Sequence, residues 1–214
     1  MSEQNLDVIY YAVLDGNAPV AREETQKALD ANVTAEAILY DACIPAMDEV
    51  GYQFEIGEKF VPEMLIAARA MDAAMQLLRP LLIEEGIEQI GKVVAGTVQG
   101  DLHDIGKNLV MMMMEGAGFG IVDLGTDVSP EKFVETVKTE KPDIVAMSAL
   151  LTTTTRSIIA TIQALEEAGV RDQVKVMIGG APITQDFADK VGADGFASDA
   201  GAAARKAKEL INLN

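Results

Sequence analysis

From Lys92 onward the chain alternates short, apolar, β-branched runs with helical segments, and this alternation limits the possible folds more than any other feature. The runs are Lys92–Val98, Gly120–Leu124, Ile144–Ser148, Val174–Ile178 and Gly195–Ala197. Between them the pattern predicts helices from about Ile105 to Glu115, Pro130 to Thr139, Thr154 to Ala168 and Thr184 to Lys190, with Arg205 to Ile211 in a last one. Strands that alternate with helices in this way imply right-handed βαβ units on a parallel sheet. Five such strands favour the flavodoxin-like order 2-1-3-4-5, a doubly wound Rossmann-type sheet. Its first strand is then central, with a carboxyl end at the switch point where ligands bind.

Residues 1 to about 90 lack such runs and read as helices. Ser2 to Leu14 stops at Asp15-Gly16, and Pro19 to about Leu29 begins with a proline in its first turn. Thr34 is a predicted N-cap for a third helix, which Pro45 should kink or break. Pro62 opens a long fourth helix, on which Met64, Ala68, Met71, Met75 and Leu78 form one apolar stripe. Four helices of this kind make a small bundle. The expected organisation is therefore a helical cap domain over residues 1–90 and an α/β domain over 91–214, with Gly86 to Gly91 as the linker. The methionines are in the first place bundle core, and Met111 to Met114 the interior of a helix buried on the sheet. A sharper reading has Phe60 to Leu65 present a soft apolar face to a ligand on the second domain.

The first predicted strand runs into V-Q-G-D-L-H-D-I-G-K-N, Val98 to Asn108, and the only histidine of the chain, His103, lies at its centre. In extended chain, residues two apart point the same way, so Asp101 can reach one ring nitrogen of His103 and leave the other for a metal. Gly100 and Gly106 flank the pair without side chains. A single loop histidine is also commonly a polar surface residue, and Asp104 an ordinary N-cap, so residue types alone leave both readings open. A structural zinc site is excluded, since it needs four ligands and Cys43 is the only cysteine. A metal on His103 must bring most of its own ligands, as a tetrapyrrole-like macrocycle does. Two further loops should meet this one. Ser148-Ala149-Leu150-Leu151 leads into four hydroxyls, Thr152 to Thr155, of which helix capping explains one or two. Gly179-Gly180 is either a tight turn or a close approach of backbone to ligand.

A formal charge of −17 argues against nucleic acid and anionic membrane surfaces as partners and suits a soluble protein that meets other proteins. One cysteine rules out a disulfide framework, and no signal segment or bilayer-length apolar run stands out, so a cytoplasmic location is expected.

Asp101-x-His103-x-x-Gly106, then Ser148-x-Leu150, then Gly179-Gly180 resembles the three-part pattern of cobalamin-binding domains. F-V-P-E-M-L-I-A-A-R-A-M, Phe60 to Met71, resembles the helical cap of the same family. The likeness spans nearly the whole chain and is strongest to the corrinoid proteins of methylamine- and methanol-type methyltransferase systems, with similarity also to the cobalamin module of methionine synthase. The resemblance implies a corrinoid bound without its own dimethylbenzimidazole ligand. His103 takes that place on cobalt and Asp101 bonds the imidazole. Thr154 stands where the family has a hydroxyl on the aspartate. Gly100, Leu102, Asp104 and Gly106 belong to the same loop, Leu150 is a further cofactor-binding residue, and the nucleotide tail enters a slot lined by Gly179, Gly180, Ser148 and Thr152. Phe60, Met64 and Leu65 cover the upper face of the corrin, and the cap swings aside for partner enzymes. The implied function is a non-catalytic methyl carrier. Its implied partners are a substrate-specific methyltransferase, a corrinoid:tetrahydrofolate or coenzyme M methyltransferase, and a reductive activator. A cobalamin-sensing regulator shares the pattern but should add a DNA-binding or signalling domain. The small subunit of a radical isomerase usually lacks the cap.

Overall fold

A computed structural model describes residues 2–87 and 89–212. It divides into two units, Met1–Gln89 with Gly116–Gly118, and Ile90–Glu115 with Phe119–Asn214. The linker expected at Gly86 to Gly91 includes residue 88, which lies outside the described residues.

The first unit is helical: α1 Ser2–Leu14, α2 Ala18–Asp30, α3 Ala35–Ile38, α4 Ile44–Glu55 and α5 Val61–Glu84. Its boundaries follow from capping chemistry. Thr34 Oγ1 accepts the Ala37 N–H at 3.2 Å, and the Phe60 N–H donates to Glu63 Oε2 at 3.0 Å, with Pro62 in the first turn of α5. The disturbance expected at Pro45 takes the form of a π turn, Leu39–Cys43, between α3 and α4. Proline has no N–H to donate and its ring crowds the carbonyl four residues back, here that of Asp41, and the wider turn makes room for it. The buried face of α5 is set by Met64, Ala67, Met71, Ala74 and Leu78, while Ala68 and Met75 of the predicted stripe are half-buried. α2 packs mainly on α5 and buries Ala21, Thr25 and Ala28, so small residues on both helices let the backbones approach.

The second unit is a five-stranded, all-parallel sheet in the order β2-β1-β3-β4-β5, as the alternation predicted. The strands are β1 Lys92–Thr97, β2 Gly120–Asp123, β3 Ile144–Ser148, β4 Lys175–Gly179 and β5 Gly195–Phe196. The helices are α6 Ile105–Gly116, α7 Pro130–Glu140, α8 Thr155–Glu167, α9 Gln185–Val191 and α10 Ala200–Leu210. β1 is buried from Val93 to its end, as a central strand covered on both faces must be. At Gly96 an added Cβ would stand 2.8 Å from Cζ of the fully buried Phe133, so the strand needs glycine there for α7 to seat. Register places Thr97, Ser148 and Gly179 side by side at the carboxyl ends of β1, β3 and β4. The three expected loops therefore leave the sheet next to one another.

Candidate cofactor site

Beyond β1 the Val98 N–H reaches Ser148 O at 3.0 Å, and a turn from Val98 to Asp101, with Gly100 at φ +85°, sends the Asp101 side chain inward. Asp101 is fully buried. Its Oδ2 accepts from Thr154 Oγ1 at 2.7 Å, from the Leu150 N–H at 2.7 Å and from the Leu151 N–H at 3.3 Å. Its Oδ1 accepts from the His103 N–H at 3.1 Å and lies 2.7 Å from His103 Nδ1. Burial alone would raise the pKa of this carboxyl. The bonds from Thr154, the His103 ring and the Leu150 and His103 amides outweigh burial and hold it well below the usual carboxylate range. The group is thus an anion, and Nδ1 of His103 carries the proton that faces it.

That pairing occupies Nδ1 and leaves Nε2 as the ring nitrogen available to a ligand. The His103 side chain is 53% exposed, so this nitrogen opens to the outside while Nδ1 is tethered. The arrangement is that of a metal-binding imidazole oriented by a carboxylate. Among the described residues no group of three or more His, Cys, Asp or Glu could hold a metal ion, so a metal on Nε2 has to come with ligands of its own. The surroundings suit a flat apolar ligand. Leu102 and Ile105 are 72% and 82% exposed, and Leu150 and Leu151 are exposed on the neighbouring loop. Around Gly106 the space is open, with nothing within 4 Å of where a Cβ would stand. Asp104 is the residue whose carbonyl accepts the Asn108 N–H at 2.8 Å to start α6.

Two family models match, both described as a B12 binding domain, over residues 6–79 and 91–206. Trimethylamine corrinoid protein 1 of Methanosarcina acetivorans is 43% identical over 202 residues, 94% of each chain. The chain belongs to the corrinoid proteins. Among solved structures, a cobalamin-binding protein from Desulfitobacterium hafniense DCB-2 superposes with TM-score 0.82 at 34% identity, covering 96% of this chain and 98% of its own. The methanol:cobalamin methyltransferase complex of Methanosarcina barkeri gives 0.85 at 28% identity, with 99% and 81% covered.

As a corrinoid protein it takes cobalamin as cofactor, and the fit is visible in the α/β unit. A corrinoid carries four equatorial nitrogens with its cobalt, which meets the requirement that the metal arrive ligated. Gly180, at φ +125°, brings the backbone so close to Ala149 that an added Cβ would fall 1.9 Å from Ala149 O. This close approach explains Gly180; at Gly179, beside Ser148, an added Cβ would make only ordinary contact, 3.5 Å from Ala197 O. Of the four threonines, Thr154 turns to Asp101 and Thr155 Oγ1 donates to Thr152 O at 2.9 Å, while Thr152 and Thr153 stand exposed. In the helical unit, Phe60 is 62% exposed, Leu65 half-buried and Met64 fully buried.

Some supporting residues escaped the motifs. The buried ammonium of Lys107 pairs with Asp123, whose Oδ1 also accepts the Gly125 N–H at 2.8 Å. Asp127 and Ser157 bond the backbone of the histidine loop. An aspartate after Gly125-Thr126 reads as ordinary turn chemistry, and backbone donors such as Leu150 leave no trace in residue type. The one available signal was D-L-G-T-D-V, a second loop rich in acid and glycine at the end of a strand beside β1.

Proposed function

We propose that this corrinoid protein is a methyl carrier, binding its cofactor base-off with His103 Nε2 on the lower side of cobalt. When bound, the corrinoid supplies a metal that accepts a methyl group from one partner and yields it to another. The chain's own residues do the rest. His103 holds the cofactor from below and Asp101 fixes the imidazole tautomer and direction. Thr154 and the Leu150 amide keep Asp101 anionic and in place. Ser148, Gly179, Gly180 and Thr152 take the nucleotide tail along the carboxyl ends of β3 and β4. Phe60, exposed on the helical unit, and the half-buried Leu65 are that unit's share in shielding the cofactor from water, whereas the fully buried Met64 has no free surface for this role.

The observation that carries this reading is the tethered Nδ1 and free Nε2 of the single histidine. The names of the relatives point the same way, to amines or methanol as the source of the methyl group. Under this proposal the partners are a substrate-specific methyltransferase, an acceptor-side methyltransferase serving tetrahydrofolate or coenzyme M, and a reductive activator. The test is reconstitution with cobalamin, reduction, and addition of methylamines or methanol with candidate methyltransferases. Methyl transfer that needs this protein and falls in His103→Ala supports the carrier. Equal transfer by His103→Ala refutes the assigned ligand, and bound cobalamin that never accepts methyl from any donor refutes the carrier.

A further inference from the structure

The turn that delivers Asp101 is gripped from two sides. It runs Val98-Gln99-Gly100-Asp101, closed by the Asp101 N–H on Val98 O at 3.1 Å, with Gly100 in third place at φ +85° as a type II turn requires. In such a turn the central peptide can flip while the ends stay put. Here that is the peptide between Gln99 and Gly100, and both of its polar groups are taken. The Gly100 N–H donates to Asp127 Oδ1 at 2.7 Å, and Gln99 O accepts from Ser157 Oγ at 2.9 Å. Asp127 comes from the loop after β2, and Ser157 from the first turn of α8. Asp127 also donates its own N–H to Asp101 O at 3.0 Å. To do so it holds φ +55°, a left-handed conformation that asparagine and aspartate tolerate better than most residues.

We infer that Asp127 and Ser157 are positioning residues for His103: by holding the 99–100 peptide they fix the turn that aims the Asp101 carboxylate at His103 Nδ1. The reach from Asp101 to the ring is one bond of 2.7 Å, and a peptide flip two residues earlier redirects the aspartate that makes it. The neighbouring bonds show how fixed that aspartate is, since Thr154 and Leu150 both meet its other oxygen at 2.7 Å. The consequence for cobalt rests on the reading given above. The orientation of the imidazole does not.

Three substitutions separate the contributions. Asp127→Gly keeps the left-handed backbone and the N–H to Asp101 O but removes the side-chain acceptor. Asp127→Asn restores an acceptor and suits the same backbone. Ser157→Ala removes the opposite grip. Because the chain has one histidine, an imidazole Nδ1–H proton resonance expected of the cofactor-free protein can come only from His103, and the Gly100 amide can be followed by hydrogen exchange. In Asp127→Gly the Gly100 amide should exchange on the order of tenfold faster, and the imidazole resonance should vanish into exchange with water. Ser157→Ala should move the imidazole resonance in the same direction, and Asp127→Asn should stay close to the parent in both readouts. The inference is overturned if Asp127→Gly keeps the parent resonance and exchange rate, or if Asp127→Asn loses them equally. Adding cobalamin afterwards separates the two ideas. A parent protein in which no histidine nitrogen reaches cobalt overturns the ligand assignment while the positioning result stands.

Discussion

Replacing Gly180 by alanine tests how tightly the loops of the site are interlocked. The new Cβ would lie 1.9 Å from Ala149 O, 2.8 Å from its carbonyl carbon and 3.2 Å from its nitrogen. A carbon and a carbonyl oxygen settle no closer than about 3.3 Å, so the backbone at Ala149 has to give by more than an ångström. Overpacking of this kind costs about 1–3 kcal/mol, and a non-glycine residue at φ +125° about 1–3 kcal/mol more. The sum, about 2–6 kcal/mol, is a large part of the stability of an ordinary domain. The strain falls on the segment that sends the Leu150 and Leu151 amides to Asp101, so the site should loosen with it. Urea unfolding followed by far-UV circular dichroism reads the loss. All four tyrosines, at 10, 11, 40 and 52, lie in the helical unit, so their fluorescence tracks that unit separately. A dichroism transition within about 1 kcal/mol of the parent would refute the close approach of the two loops.

Other outcomes follow from the same geometry. Gly106→Ala, in the open first turn of α6, should stabilise the cofactor-free protein by up to about 1 kcal/mol yet weaken cobalamin binding, seen by thermal melts and by titration. Thr154→Val should lose one charge-assisted bond to Asp101 and cost about 1.5–3 kcal/mol in urea unfolding, while Thr154→Ser keeps most of it. Burial pushes the Cys43 thiol up to about 12, so a thiol reagent at pH 8 should label the native protein slowly and the unfolded protein once per chain. With the native thiol still protonated where the unfolded one ionises, stability should fall as pH rises from about 9 towards 12, and Cys43→Ala should flatten that slope.

Much of this arrangement is legible in the amino-acid sequence. β-Branched runs between helical stretches fixed a parallel sheet, because only strands buried on both faces read as continuous apolar runs. The order of that sheet then put the histidine loop, Ser148 and Gly179 on neighbouring strand ends. Spacing alone linked Asp101 to His103. Other parts depend on quantities that residue types do not encode. The π turn at Leu39–Cys43 is a local answer to Pro45 and not a propensity of its residues. The amides of Leu150 and Leu151 are backbone donors that any residue would supply. Asp127 looks like a common turn residue until its φ of +55° and its bond to Gly100 are known. Even the expected stripe on α5 shifted, since Ala67 and Ala74 are buried where Ala68 and Met75 are only half so. Small residues fit an interface against α2 that the amphipathic pattern of one helix does not specify.

The central claim is a bond between one imidazole nitrogen and cobalt, and isotope substitution reads it directly. With a single histidine in the chain, growth on 15N-histidine labels one ring. Electron paramagnetic resonance of the cobalt(II) form then reports the nucleus beneath the metal. Nitrogen splitting that changes from triplets to doublets on labelling is the expected result. Triplets that persist would mean that the cofactor's own base, and not His103, sits on cobalt.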